Sequence, residues 1–142
     1  MKKAAFVVAV VMGLITAWVG CNPVGRFGFC RFGLLVYSAI PFPAVDIVIH
    51  ANGWPTIRGS TVLDWTVQSK AHFVALAEIE GLLKEGPDVL IIGTGYDNMV
   101  QVEEEIAVMP AVEILPTPQA VRRYNELRDE GKRVAAIIHS TC

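Results

Sequence analysis

Charge is scarce in this sequence. Asp, Glu, Lys and Arg together make up 18% of the 142 residues and the formal net charge is −2, so nothing electrostatic favours a nucleic acid or an anionic membrane as partner. The basic residues form no stripe; they are scattered or interleaved with acids, as in Arg122, Arg123, Glu126 and Arg128. Cysteine is scarce too. Cys21, Cys30 and Cys142 are widely spaced and odd in number; they offer neither a dense disulfide scaffold nor a paired-cysteine metal motif, and they favour a reducing, cytoplasmic setting. No glycine-rich loop ends in the Lys-Ser/Thr pair of a P-loop.

Apolar residues, by contrast, reach 53%, and the excess is concentrated near the N-terminus. Lys2 and Lys3 precede an uncharged run over residues 4–19, followed by Gly20-Cys21. That is the layout of a secretory leader, and a small residue before cysteine resembles a lipoprotein cleavage site, although Trp18 stands where a smaller aliphatic residue is usual. A non-native extension is the other reading. The run falls short of the roughly 20 residues that a spanning helix needs. Residues 1–21 are therefore set apart, and one compact domain is expected over residues 29–142. An exported or membrane-anchored form is expected only if the apolar segment acts as a leader, is retained, or carries a lipid on Cys21.

The chain is organised around residues 87–96, Pro-Asp-Val-Leu-Ile-Ile-Gly-Thr-Gly-Tyr. Its unbroken apolar run predicts a strand buried on both faces. Upstream, strands are expected at residues 34–38 and 45–50, separated by a proline-bearing turn at residues 40–43. Asn52-Gly53 then predicts a hairpin into a third strand at residues 54–58, which Pro55 confines to an edge, and residues 61–67 offer a further short strand. Residues 73–85 carry Phe73, Leu76, Ile79, Leu82 and Leu83 at helical spacing and stop at Gly86-Pro87. Downstream, a short helix is expected over residues 102–109, with Glu103, Glu104 and Glu105 in its solvated first turn. A strand over residues 111–115 and a helix opening at Thr117-Pro118 and stopping at Gly131 follow, then a last strand over residues 133–139. Thr117 reads as the helix N-cap.

Two strand–helix–strand units in succession imply parallel neighbours. The loops at residues 93–98, 116–117 and 140–142 then emerge on one edge, the usual ligand edge of open α/β sheets. The chemistry available there is sparse. Gly93-Thr94-Gly95 begins like a dinucleotide fingerprint, but Asn98 occupies the third glycine position, and a tight strand exit explains the glycines. His139 and Cys142 suggest a nucleophile and base or two metal ligands. Zinc needs more, and His50, His72 and Cys30 show no recognisable spacing to them; no catalytic residue, cofactor or metal is therefore assigned. Trp54 and Asp64-Trp65 suggest an exposed aromatic patch for a protein partner, with core filling as the bland alternative.

Several segments carry a family resemblance: Cys30-Arg31-Phe32-Gly33, Asp46-Ile47-Val48-Ile49-His50, Leu90-Ile91-Ile92-Gly93-Thr94-Gly95, Leu115-Pro116-Thr117, Ala120-Val121 with Tyr124-Asn125, and GKRVAAIIHSTC over residues 131–142. Together they resemble the Mth-like domain family of unknown function, which includes the adipogenesis-associated Mth-like domain-containing protein and a mitochondrial complex I assembly factor. The resemblance implies a single three-layer α/β domain, with a central mixed, mostly parallel sheet, helices packed on it and a small additional β layer. It also implies a non-enzymatic interaction or assembly-factor role with a protein partner. The alternative is a small-molecule-binding protein or enzyme at the carboxyl ends of the parallel strands, with Thr94, Gly95, Tyr96, Thr117, Asn125, His139 and Cys142 as candidate ligand-binding residues.

Overall fold

The computed structural model describes residues 2–59 and 72–142; the strand expected at residues 61–67 and the Asp64-Trp65 pair lie outside them. Among the described residues the main sheet has five strands. They are β3 (Ile47–Ile49), β4 (Pro55–Ile57), β6 (Val89–Gly93), β8 (Val112–Leu115) and β9 (Val134–Ile138), in the order β4-β3-β9-β6-β8. The apolar runs of β6, β8 and β9 lie parallel, as their connecting helices require. β3 pairs antiparallel with both β9 and the edge strand β4, making the sheet mixed.

Alternation along the central strands divides the core into two layers. Val134, Ala136 and Ile138 of β9 and Ile91 of β6 face α4 (Thr117–Asp129), through Ala120, Val121, Tyr124 and Leu127. Ala135 and Ile137 with Leu90 and Ile92 face the other way, onto Ile79 and Leu82 of α2 (Leu76–Lys84) and Ile106 of the single-turn α3 (Glu104–Ala107). The hairpin of β1 (Leu34–Tyr37) and β2 (Ile40–Pro43) closes the α4 side with Leu35 and Tyr37.

That hairpin corrects the turn expected at residues 40–43. The turn is Ser38-Ala39, both at positive φ (51° and 64°), and the proline-bearing segment is a strand at the open edge of a two-stranded ribbon, where a missing N–H is tolerated. A second correction concerns helix starts. Phe73 and Val74 form β5, paired parallel with β7 (Gln101–Val102), so α2 begins at Leu76 and α3 is only one turn long. Ala75 caps α2 without a side-chain bond; the carboxylate of Glu103 instead accepts the Leu76 N–H at 2.6 Å, while Glu104 and Glu105 stay exposed.

Packing also begins before Phe29. Phe27 is buried edge-on against Tyr37 and Tyr124. Asn22 is buried as well, donating to Trp18 O and accepting from Phe29 N, so it joins the domain to α1 (Lys2–Cys21). α1 is exposed throughout the span Lys3–Cys21, which is long and apolar enough to cross a membrane by length and composition; a signal sequence passes the same test. At 1.5 Å per residue, its 20 residues match the bilayer core of roughly 30 Å, so the expectation that the segment is too short no longer holds.

Tyr37 and Tyr124 carry a polar contact inside the α4 layer. The Tyr37 hydroxyl donates to Gly53 O at 3.0 Å and lies 3.0 Å from the Tyr124 hydroxyl. A carbonyl only accepts, so the Tyr37 proton is committed there and Tyr124 donates to Tyr37. Burial, and then the Tyr37 hydroxyl, push Tyr124 ionisation well above its ordinary value. Tyr37→Phe strands two partners and is expected to cost about 2 kcal/mol; Tyr124→Phe strands only an acceptor and is expected to cost about 1 kcal/mol. Urea unfolding of both variants checks this, and the reverse order would refute the assigned direction.

Candidate functional site at the strand-end rim

β6, β8 and β9 run the same way, so their exits meet at one edge. Thr117 lies at the centre, fully buried. Its hydroxyl accepts from Gly95 N at 3.1 Å and donates to His139 O at 2.7 Å, while its own N–H donates to Gly95 O at 2.9 Å. The residue expected to cap α4 therefore ties two strand exits together. Pro116 occupies the cap position, with no side-chain bond. Thr94 completes the weave: its N–H donates to Leu115 O, and its hydroxyl lies within bonding distance of Asn98 Oδ1 and Leu115 O.

The rim is covered by the chain itself. Tyr96 N donates to Thr141 O at 3.0 Å and Gly33 N to Ser140 O at 2.7 Å, so residues 140–141 lie between the loop after β6 and the segment before β1. Gly95 makes this possible: at φ +94°, a Cβ there would stand 1.5 Å from the Cys142 carbonyl oxygen. Gly95 thus serves close approach by the backbone of residues 141–142, whereas Gly93 makes room for the side chains of Thr117, Ile138 and Ala120.

Of the residues expected at this edge, Thr94, Gly95, Thr117, His139 and Cys142 come together. Tyr96 stands beside them, its ring edge-on to Phe32 at 5.9 Å; burial, and then Cys30, push its hydroxyl up to about 12. Asn125 does not join them. Its amide accepts from Phe27 N at 2.9 Å and donates to Phe27 O at 2.8 Å, which fastens α4 to the segment before β1. Cys30 is half-buried near Val36 O, and burial pushes its thiol up.

Two further residues complete the rim. Asp46 places Oδ2 at 2.6 Å from His139 Nδ1 and accepts Ser140 N on Oδ1 at 2.9 Å, with the buried Arg58 guanidinium 3.5 Å away. Burial alone would raise its carboxyl, but the hydrogen bond from His139, the Ser140 N–H and the Arg58 charge together hold it below the usual carboxylate range. His72, beside β5, brings its ring to 5.2 Å from that of His139, edge to face. Cys142 Sγ lies 3.7 Å from His139 Nε2 and from both nitrogens of His72. Among the described residues, His72, His139 and Cys142 form a group whose ligand atoms all fall within 4.8 Å of one another. In the sequence His72 is a candidate ligand without recognisable spacing and Asp46 is part of a family motif without an assigned role; they lie 70 positions from Cys142 and 93 from His139, too far for a local pattern to join them.

Elsewhere, an open groove of about 350 Å³ runs between β4 and α2, lined by Val48, His50, Arg58, Glu78, Leu82 and Ile137 among others. Its charges are paired: His50 Nδ1 meets Glu85 at 2.6 Å and the Arg58 guanidinium meets both Glu78 oxygens.

Among solved structures, the chain is similar to MT938 at 36% identity, covering 82% of this chain and 98% of that one with a TM-score of 0.69. It is similar to a conserved hypothetical protein of Pyrococcus horikoshii at 31% identity, covering 82% and 99%, with a TM-score of 0.68. An outer membrane protein of Bartonella henselae shares the fold at 22% identity and a TM-score of 0.58, covering 86% of this chain and 98% of that one. Residues 45–139 match the family described as a protein of unknown function, DUF498/DUF598. With the three-layer α/β fold already seen, these likenesses bear out the resemblance carried by the motifs: the chain belongs to this Mth938-like domain family of unknown function.

Proposed function

We propose that the domain is a non-enzymatic interaction or assembly-factor module, displayed at a membrane by α1 and engaging a protein partner at the strand-end rim. One observation carries the reading: the edge where an α/β sheet would take a small molecule is filled by the chain's own tail, pinned at Gly95 and Tyr96. What this edge offers instead is surface. Phe29 and Phe32 are 55% and 59% exposed, Phe32 rests on Tyr96, and Arg31 lies over the Phe29 ring at 5.8 Å. Aromatics with an adjacent arginine are the usual anchors of protein interfaces. The exposed apolar span of α1 supports placement at a membrane rather than the cytoplasmic setting suggested by cysteine usage.

A photo-cross-linking residue at Phe32 of the full chain, expressed in its native cell, tests the proposal. One protein is expected to be trapped, with yield falling about tenfold or more on Phe29→Ser and no drop in Tm. The alternative, a small-molecule-binding protein or enzyme, has the His72–His139–Cys142 group in its favour. A metabolite that raises the Tm of the full chain but not of Cys142→Ser, with no cross-linked partner, would replace the interaction reading by that one.

A further inference from the structure

We propose that His72, His139 and Cys142 form a binding site for a thiophilic divalent cation, Zn²⁺, with three protein ligands and one open position. The inference does not rest on the partner reading, and an exogenous ligand at its open position would favour the small-molecule alternative. It begins with Asp46. Ser140 N–H and Arg58 face its carboxylate, and an ionised carboxylate only accepts, so His139 Nδ1 carries the proton of that 2.6 Å bond. The other nitrogen of the neutral ring, Nε2, then carries the lone pair; it lies 3.2 Å from the Thr141 hydroxyl, which has to turn aside for an ion, and 3.7 Å from Cys142 Sγ. A histidine whose far N–H is held by a carboxylate is the usual form of a zinc-binding imidazole.

Spacing agrees with this assignment. Zinc bonds of about 2.0–2.1 Å to nitrogen and 2.3 Å to sulfur, at tetrahedral angles, set nitrogen and sulfur roughly 3.6 Å apart. All the sulfur–nitrogen distances in the group are 3.7 Å. Thiol–imidazole hydrogen bonds have a similar length, and one sulfur can donate to one ring while accepting an N–H from the other, so the cobalt titration decides between the two arrangements. His72 presents both ring nitrogens at equal distance, so a turn about its side-chain torsion brings either onto an ion. Its backbone is fixed by Gln101 N, which donates to His72 O at 2.7 Å. A thiolate with two imidazoles suits zinc and disfavours magnesium or calcium. Three ligands leave a fourth position for water or a small anionic ligand, as in zinc sites that react rather than those that only brace.

The full chain in detergent micelles, stripped with a chelator and titrated with Co²⁺, provides the test. A thiolate-to-cobalt charge-transfer band and the strong visible bands of a four-coordinate ion are expected at one equivalent, bleached by Zn²⁺. Cys142→Ser should remove the charge-transfer band and His72→Ala should weaken Zn²⁺ binding about 100-fold, both with native far-ultraviolet circular dichroism, while Cys21→Ser and Cys30→Ser change neither. Asp46→Asn, which acts through His139, should keep the charge-transfer band, shift the visible bands and weaken binding about 10–100-fold. Absence of the band in the wild-type chain, its persistence in Cys142→Ser, or equal Zn²⁺ affinity in His72→Ala would overturn the site. Cys142 and His72 are only half-buried, so at least one of the two variants is expected to fold and decide the matter.

Discussion

Thr117→Val is expected to destabilise the domain by about 2–4 kcal/mol, against about 1 kcal/mol for Thr117→Ser. Valine matches threonine in shape, so no cavity forms and the loss isolates the hydroxyl. That hydroxyl is the only described partner of two buried backbone groups, the Gly95 N–H and the His139 carbonyl. Each group left unpaired away from water costs roughly 1–3 kcal/mol, more than the bond itself contributes when made. Serine keeps both bonds and gives up one methyl, worth about 0.8 kcal/mol. In a chain of this length, the valine variant should lower Tm by about 5–15 °C, measured by thermal circular dichroism of the full chain. If valine and serine destabilise equally, Thr117 acts through packing and the woven rim is not what holds the strand exits together.

The same residue shows where the sequence is readable. Threonine before proline at the start of a periodic run looks like a helix cap, because capping is local chemistry and leaves a local pattern. Its actual partners belong to β6 and β9, and no local pattern encodes them. The parallel core was legible for the opposite reason: Val89–Gly93 and Val134–Ile138 are unbroken apolar runs, which only a strand covered on both faces produces, and the helices between them force the direction. The β1–β2 hairpin was illegible because its turn uses Ser38-Ala39 at positive φ, without the Asn-Gly that announces the turn at Gly53. The β5–β7 pair is two residues long on each side, below any periodicity, and the cap of α2 is lent by Glu103 from another element.

The candidate site divides along the same line. His139 and Cys142 were visible because they follow a strand end and carry chemistry. Asp46 and His72 enter by topology: β3 pairs with β9 and places Asp46 beside His139, and β5 pairs with β7 and sets His72 at the same rim. The family motif at residues 46–50 contained Asp46, but nothing in its spacing distinguished a residue that orients a histidine from one that ends a strand.

Gly95→Ala is expected to release the C-terminal tail, at about 2–4 kcal/mol of stability and with Cys142 made accessible to solvent. Two effects compete at this position. A Cβ 1.5 Å from the Cys142 carbonyl oxygen and 2.7 Å from Thr141 O cannot be absorbed by adjusting a flexible side chain, since both neighbours are backbone atoms. Either the loop after β6 moves or the tail does. The loop is held by Thr117 on both sides of Gly95 and by Thr94 bonded to Leu115, whereas the last residues are held chiefly by Tyr96 N to Thr141 O and by the contacts of Cys142. Releasing the tail gives up one or two hydrogen bonds of about 1 kcal/mol each, and the alanine at φ +94° adds about 1–2 kcal/mol of backbone strain. The tail therefore yields. Gly131→Ala supplies the control, at φ +80° with nothing within 4 Å of the added carbon, and should cost only the strain of about 1–2 kcal/mol. In a Cys21→Ser background, a thiol reagent should modify Cys142 at least about tenfold faster in Gly95→Ala than in Gly131→Ala, and the cobalt–thiolate band should vanish in the first and persist in the second. A Gly95→Ala chain whose Cys142 stays as protected as in the parent would mean that the loop gives way instead, and the rim would then be open to a ligand after all.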